Sequence, residues 1–110
     1  MFIVDRKKDG VKILELNGRV DAVADHFVED LLQMVQNELK ILVDCSNLNY
    51  INSSGLRAFL TVVKNVGKFN GRFVICNLPE NIKEIFKISG FLQVFEVYDT
   101  YEDAFNSFVS

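Results

Sequence analysis

The stretch KILVDCSNLNYINSSGLR, residues 40–57, decides how the rest of the chain is read. It leaves Lys40, runs without interruption through Ile41, Leu42 and Val43, and reaches Asp44. An apolar run bounded by charge is the pattern of a strand covered on both faces, at the centre of a sheet. The stretch ends on Asn52, Ser53 and Ser54, whose side chains are suited to capping a helix. Beyond them Leu56, Phe59, Leu60, Val63 and Val66 recur at helical spacing, so a helix is expected to start near Ser53 or Ser54. A buried strand that feeds a capped amphipathic helix is one unit of an α/β domain, and residues 44–57 are expected to form the connection.

The same alternation continues in both directions. Downstream, Gly71 closes a turn into a strand over residues 72–76, and Pro79 opens a short helix carrying Ile82, Ile85 and Phe86. Gly90 ends that helix, residues 94–97 supply a short strand, and Asp99 or Thr100 caps a last helix with Tyr101, Ala104, Phe105 and Phe108 inward. Upstream, Phe27, Leu31, Val35 and Leu39, with Val28 and Leu32 beside them, mark a helix face preceded by a short extended piece at residues 19–21. The opening residues 2–6 and 11–16 read as two strands around a turn at Lys8, Asp9 and Gly10. The expected architecture is a single α/β domain over residues 1–110, with a mixed central β-sheet, an N-terminal antiparallel hairpin and about four helices. Right-handed crossovers make its central section parallel and place the helices on one face or both.

Composition bounds the function. The 110 residues are 49% hydrophobic, with ten Phe and no Trp, enough to build one core without disulfides or metal. A net charge of -3 argues against a general nucleic-acid binder, which needs clustered Lys and Arg. Lys7, Lys8, Lys64, Lys68, Lys83 and Lys87 are scattered among carboxylates and read as an ordinary solvated surface. The opening residues become charged at Asp5, which fits neither a signal peptide nor an anchor, and no apolar run approaches the ~18 residues of a membrane span. No membrane association and a cytoplasmic location are therefore expected. Cys45 and Cys76 each close an expected buried strand and are expected to be free core thiols, since the chain has no CxxC or Cys/His cluster. No glycine-rich phosphate loop or GK[ST] motif is present, and no cofactor is expected. The spacing of Glu15, Asp21 and Asp44 does not demand a metal.

In sheets of this kind, partners dock just beyond the carboxyl ends of strands, where residues 44–57 fall. Ser53 and Ser54 stand at a helix start, whose unpaired N–H groups and positive dipole end favour an anion. Gly55 is expected to leave room for a partner's backbone, and Arg57, one turn in, adds a cation. The plainer reading is that Asn52, Ser53 and Ser54 only cap the helix, worth ~1 kcal/mol.

Asp44, Ser46, Tyr50, Ile51, Asn52, Ser53, Ser54, Gly55 and Leu56 together resemble the phosphorylation loop of the bacterial STAS-domain anti-sigma factor antagonists. That family's pattern is D-[LC]-S, an aromatic, an apolar residue and D-S-[SAT]-G-L. Gly18, Val20 and Asp21 resemble its G-x-[LIV]-D, and residues 71–77 its fourth strand. Ile88, Ser89, Gly90 and Phe91 resemble the turn before its last strand. The resemblance implies a non-enzymatic partner switch. The unmodified protein binds an anti-sigma factor that is also a serine kinase, releasing a sigma factor; phosphorylation of Ser53 ends that binding, and a serine phosphatase restores it. Ser54 is the second choice of acceptor. Asp21, Asn52, Ser53, Ser54, Gly55, Leu56 and Arg57 are the implied partner-binding residues. Asn52 stands where the family usually has Asp, and Arg57 where it often has a small residue.

Two other classes of protein compete with this reading. A serine hydrolase would use a G-x-S-x-G elbow, but Ile51 occupies the place of the first glycine, and His26, the only histidine, lies among polar residues at the start of the first helix. A STAS scaffold subunit of a signalling or lipid-transport complex would keep the fold and need no modified serine. Ser53 favours the switch, and Asn52 the scaffold.

Overall fold

In the computed structural model, which describes residues 2–21 and 26–109, β1 (Phe2–Lys8) and β2 (Val11–Val20) form the expected hairpin. Asp9 and Gly10 turn the chain with both φ positive, at 51° and 81°, the combination that matches the twist of a two-residue hairpin. The remaining elements are α1 (Phe27–Met34), β3 (Lys40–Ile51), α2 (Ser53–Lys68), β4 (Arg72–Cys76), α3 (Glu80–Ile88), a short 3-10 turn (Phe91–Gln93), β5 (Glu96–Tyr98) and α4 (Tyr101–Val109).

The strands lie in the order β1-β2-β3-β4-β5; the first pair is antiparallel and the other three pairs are parallel. Each parallel strand is added on the same side of its predecessor, so right-handed crossovers put α1, α2 and α3 on one face. The other face is left to α4. Strand alternation divides the apolar residues accordingly. Leu14, Leu16, Ile41, Val43, Phe73 and Ile75 join the three-helix core, while Val11, Ile13, Leu42, Val74 and Cys76 meet Ala104, Phe105 and Phe108 of α4. The run Ile41, Leu42 and Val43 is fully buried because both layers cover it.

Phe59 is the hub of the larger core. Its ring meets Phe27 at 5.4 Å and Phe73, Phe86 and Phe95 at 6.3, 6.3 and 6.2 Å, which joins all three helices to the sheet. The smaller layer is fastened by cations. Arg6, Lys8 and Arg72 lie over the rings of Tyr101, Phe105 and Phe108, and Arg72 also donates to the Ser107 carbonyl at 3.0 Å and pairs with Glu96.

Several sequence expectations are corrected. Residues 19–21 are not a separate piece, because β2 continues to Val20 through irregular pairing near Gly18, whose φ is 100°. Leu39 is not on the first helix, which ends at Met34; it leads into β3 and is 55% exposed. Strand β3 does not stop at Val43, so Cys45 lies inside it rather than at its end. The last strand starts at Glu96, two residues later than expected, because the 3-10 turn occupies the space after Gly90. Of the two residues expected to cap α4, Asp99 and Thr100, it is Thr100 that does so, its Oγ1 accepting from the Asp103 N–H at 3.1 Å.

Replacing Phe59 with Ala should cost about 3–5 kcal/mol, read by urea denaturation, because the void cannot be refilled by rings held on three elements. Glu96 gives a pH-dependent test. The hydrogen bond from Arg72, aided by its charge, holds the Glu96 carboxyl below its usual range despite the opposing effect of burial. A lowered carboxyl pKa stabilises above the ordinary value and loses that contribution as pH falls through the folded one. Glu96→Gln should therefore destabilise at neutral pH by less than ~1 kcal/mol, since the pair is well exposed, and the gap to wild type should close in acid.

Candidate functional site

The carboxyl half of β3 does not follow ordinary strand alternation. The residues of β3 that enter the three-helix core are Ile41, Val43, Cys45, Leu48 and Ile51, so the spacing changes from two to three after Cys45. Pairing with β2 shows the cause. Between the partners Glu15↔Asp44 and Asn17↔Asn47, β3 advances by one residue more than β2, and it does so again between Gly18↔Leu48 and Arg19↔Tyr50. Such extra residues bend a strand and increase its twist.

Side chains hold this bent segment in place. Asp44 Oδ1 accepts from the Ser46 N–H at 3.0 Å and from Asn77 Nδ2 at 3.2 Å, Asn77 being in the left-handed region with φ 58°. The Asn47 amide donates to Asn17 Oδ1 at 2.9 Å and to Glu15 Oε1 at 3.2 Å, tying β3 to β2. Glu15 and Asp44 thus serve the strand's geometry. Among the described residues no group of three or more His, Cys, Asp or Glu is placed to hold a metal.

The bent strand delivers Asn52 to the start of α2. Asn52 is extended, with φ -104°; its Oδ1 accepts from the Gly55 N–H at 2.9 Å and its carbonyl from the Leu56 N–H at 3.0 Å. Asn52 is therefore the N-cap. Ser53 is the first helical residue, exposed, and its hydroxyl has no hydrogen-bond partner among the described residues. Ser54, next along, is half-buried and likewise makes no side-chain hydrogen bond among them.

Gly55 and Leu56 play a different part from the one the sequence suggested. A Cβ on Gly55 would stand 2.7 Å from Ile51 Cγ1 and 2.9 Å from Val20 Cγ1, so the missing side chain admits α2 to the sheet rather than a partner to the helix. Leu56 is 4% exposed and belongs to the core. Arg57 is exposed and sits four residues after Ser53, hence on the same face of the helix. The first turns of α1, α3 and α4 carry Glu29 and Asp30, Glu80, and Glu102 and Asp103; the first turn of α2 carries no acid. The first turn of α2 itself thus supplies no counter-charge to the positive end of its dipole.

Asp21 joins this surface through strand register. Val20 pairs with Ile51, so Asp21 and Asn52 leave the sheet side by side. One step back, Arg19 lies over the Tyr50 ring at 4.1 Å, an exposed cation and aromatic pair beside the helix start. Sequence reasoning did not single out Arg19. Its signal was its place just before Val20 and Asp21, but only the shifted register puts it opposite Tyr50.

Acyl-transfer chemistry finds little support in this arrangement. His26, whose ring would be needed as a base, is the exposed N-cap of α1 with φ 52°, not part of a hydrogen-bonded triad with Ser53. Burial pushes the Cys45 thiol well up and the Cys76 thiol to about 12, so both stay protonated. They belong to opposite faces of the sheet, as free thiols of the two cores.

The architecture is thus a five-stranded mixed sheet with three helices on one face, one on the other, and a capped helix springing from a bent central strand. The STAS domain profile matches residues 3–104, and the chain belongs to the STAS family. It is 36% identical over 104 residues to the anti-sigma factor antagonist BtrV of Bordetella bronchiseptica, covering 93% of this chain and 90% of the relative. The anti-sigma F factor antagonist of Paenibacillus polymyxa is 26% identical over 97 residues, covering 82% and 80%. In three dimensions, an anti-sigma factor antagonist from Thermotoga maritima superposes with a TM-score of 0.85 at 19% identity, over 96% of this chain and 92% of that one. The relatives are regulatory proteins rather than enzymes.

Three substitutions test the geometry of the helix start. Asn52→Ala should cost ~1 kcal/mol in chemical denaturation, whereas Asn52→Asp should keep the cap and add a few tenths by meeting the dipole. Gly55→Ala should destabilise by about 1–3 kcal/mol through the clash with Ile51 and Val20.

Proposed function

We propose that this STAS domain is an anti-sigma factor antagonist, switched by phosphorylation of Ser53. In its unmodified form it binds an anti-sigma factor with serine kinase activity, so that a sigma factor is released. A serine phosphatase reverses the modification, and the exchange takes place in the cytoplasm. The relatives' names support the antagonist role.

The observation that carries the switch is the separation of capping from the serine. Asn52 caps α2, leaving the Ser53 hydroxyl exposed and, among the described residues, unpartnered at the start of a helix whose first turn carries no acid. A serine with no structural duty there is accessible to a kinase and can take a phosphate without unfolding the helix. The dipole would favour that phosphate by at most ~2 kcal/mol. Set against this, its charge of about -2 at ~5 Å from a partner carboxylate, at an effective dielectric near 20, costs several kcal/mol. Repulsion across the interface outweighs the local gain, so modification releases the partner rather than melting the domain.

The partner surface comprises Asp21, Asn52, Ser53, Ser54 and Arg57, to which the exposed pair Arg19 and Tyr50 is added. Arg57, four residues from Ser53, is placed to neutralise part of the phosphate charge and so to moderate the switch.

The test is mass spectrometry of the protein treated with its candidate kinase and ATP, followed by affinity measurement. Phosphate is expected on Ser53, with a loss of a few hundredfold or more in affinity. Ser53→Asp should weaken binding relative to Ser53→Ala; equal binding by both and by the parent would defeat the switch. Arg57→Gly should enlarge the phosphate penalty, and an unchanged penalty removes Arg57 from the mechanism. Asn52, a neutral residue beside the acceptor, favours a second reading in which the domain is an unmodified scaffold. Binding that persists whatever the state of Ser53 would select that reading.

A further inference from the structure

Among the described residues four cations lie over aromatic rings, and one of them fastens nothing. Arg6, Lys8 and Arg72 cover Tyr101, Phe105 and Phe108, and each ties the sheet to α4. Arg19 covers Tyr50 at 4.1 Å, yet these two residues are already joined as partners of β2 and β3. The guanidinium of Arg72 is satisfied by Glu96 and Ser107. That of Arg19 makes no ion pair or hydrogen bond among the described residues, with neither Glu15 nor Asp21 nearby along the chain.

Strand alternation sets Arg19 on the sheet face opposite Leu16 and Val20, whose side chains enter the three-helix core. Helix α4 covers only the first part of that face, since the residues meeting it end at Ile13 on β2 and at Leu42 on β3. Arg19 and Tyr50 lie beyond its cover, both exposed. A ring beneath a guanidinium blocks one face and leaves the N–H donors free at the edge, because they lie in the plane of the group. An arginine already laid on a ring has also surrendered part of the rotamer freedom that binding would take from it. Its fork matches a carboxylate through two parallel hydrogen bonds. Glu15 and Asp21, four residues before it and two after, repel a polyanion such as nucleic acid more than one isolated carboxylate.

We propose that Arg19, held on Tyr50, receives an aspartate or glutamate side chain of the protein partner that docks at this end of the sheet. The assignment deepens the antagonist reading and rests on it for the existence of that partner. Ser53 stands on the helix that packs over the other face, so the partner reaches across Asp21 and Asn52 to meet both. Arg19 then supplies affinity and selects the partner, while Ser53 supplies regulation.

The probe is the acetylated and amidated peptide Gly-Gly-Glu-Gly-Gly, titrated to tens of millimolar into the isotope-labelled full chain, with the arginine Nε–H signals and the Tyr50 ring followed by NMR. Arg19 and Tyr50 should respond at ~10-fold lower concentration than Arg57, an exposed arginine over no ring among the described residues, and the Gln counterpart of the peptide should move neither. Tyr50→Phe should keep this preference and Tyr50→Ala should erase it. Both positions are exposed, so the fold should survive their substitution. The proposal is overturned if the peptide leaves Arg19 unmoved, if Arg19 and Arg57 respond at the same concentration, if the Gln peptide does as well, or if Tyr50→Ala changes nothing. A stronger response to inorganic phosphate than to the peptide at equal concentration overturns it too, and makes Arg19 a phosphate site. Against the candidate kinase, Arg19→Ala should lower affinity ~10-fold and keep the penalty of phosphate on Ser53. Unchanged affinity of that variant defeats the role of Arg19, whereas a phosphate penalty missing from the parent defeats the switch alone.

Discussion

Burial of β3 on both faces is the constraint from which the rest of the structure follows. Ile41, Leu42 and Val43 have no exposed side, so one layer must be supplied by α1, α2 and α3 and another by α4. Sequential strand order fixes which helices make which layer, because crossovers of one hand in one direction can reach only one face. The thin side then needs its own fastening, and Arg6, Lys8 and Arg72 provide it by lying on the rings of α4.

Beyond Cys45 the same strand is relieved of that double cover and turns polar, and this is what creates the functional end. The two extra residues in β3 change which side chains point into the core, and Asp44, Asn47 and Asn77 stabilise the result by hydrogen bonds. Asn52 arrives with its side chain aimed at the Gly55 N–H, and Gly55 lets the helix press against Val20 and Ile51. The helix start is rigid on its inner side and bare on its outer side. A hydroxyl on rigid backbone, free of capping duty, is well suited to carry a removable charge, since changing it alters the surface without disturbing the core.

The separation of charge between the poles has the same origin. Parallel strands joined by helices send every helix N-terminus to one end and every C-terminus to the other. Acids in first turns and lysines in last turns therefore collect at opposite ends although they alternate along the chain. A chain with a modest net charge thus carries first-turn acids of α1, α3 and α4 at one end and Lys68 and Lys87 of the last turns at the other.

The order of elements, the hairpin, the buried central run and a helix start near Ser53 or Ser54 were legible in the sequence, because local periodicity and capping chemistry need only neighbours along the chain. The spacing of three in the second half of β3 matches neither strand nor helix, so the strand's continuation to Ile51 could be seen only once β2 lay beside it. Leu39 fitted the helical period yet belongs to the loop before β3, since α1 ends at Met34. Which of Asn52, Ser53 and Ser54 would cap, and that Gly55 serves the core, depended on Val20 and Ile51 arriving from two strands. The sequence by itself determined which segments could be strand or helix. Tertiary packing decided which side chains were consumed by the core and which, Ser53, Arg57, Leu39 and Phe69 among them, were left exposed, because burial is a property of neighbours brought together by the fold.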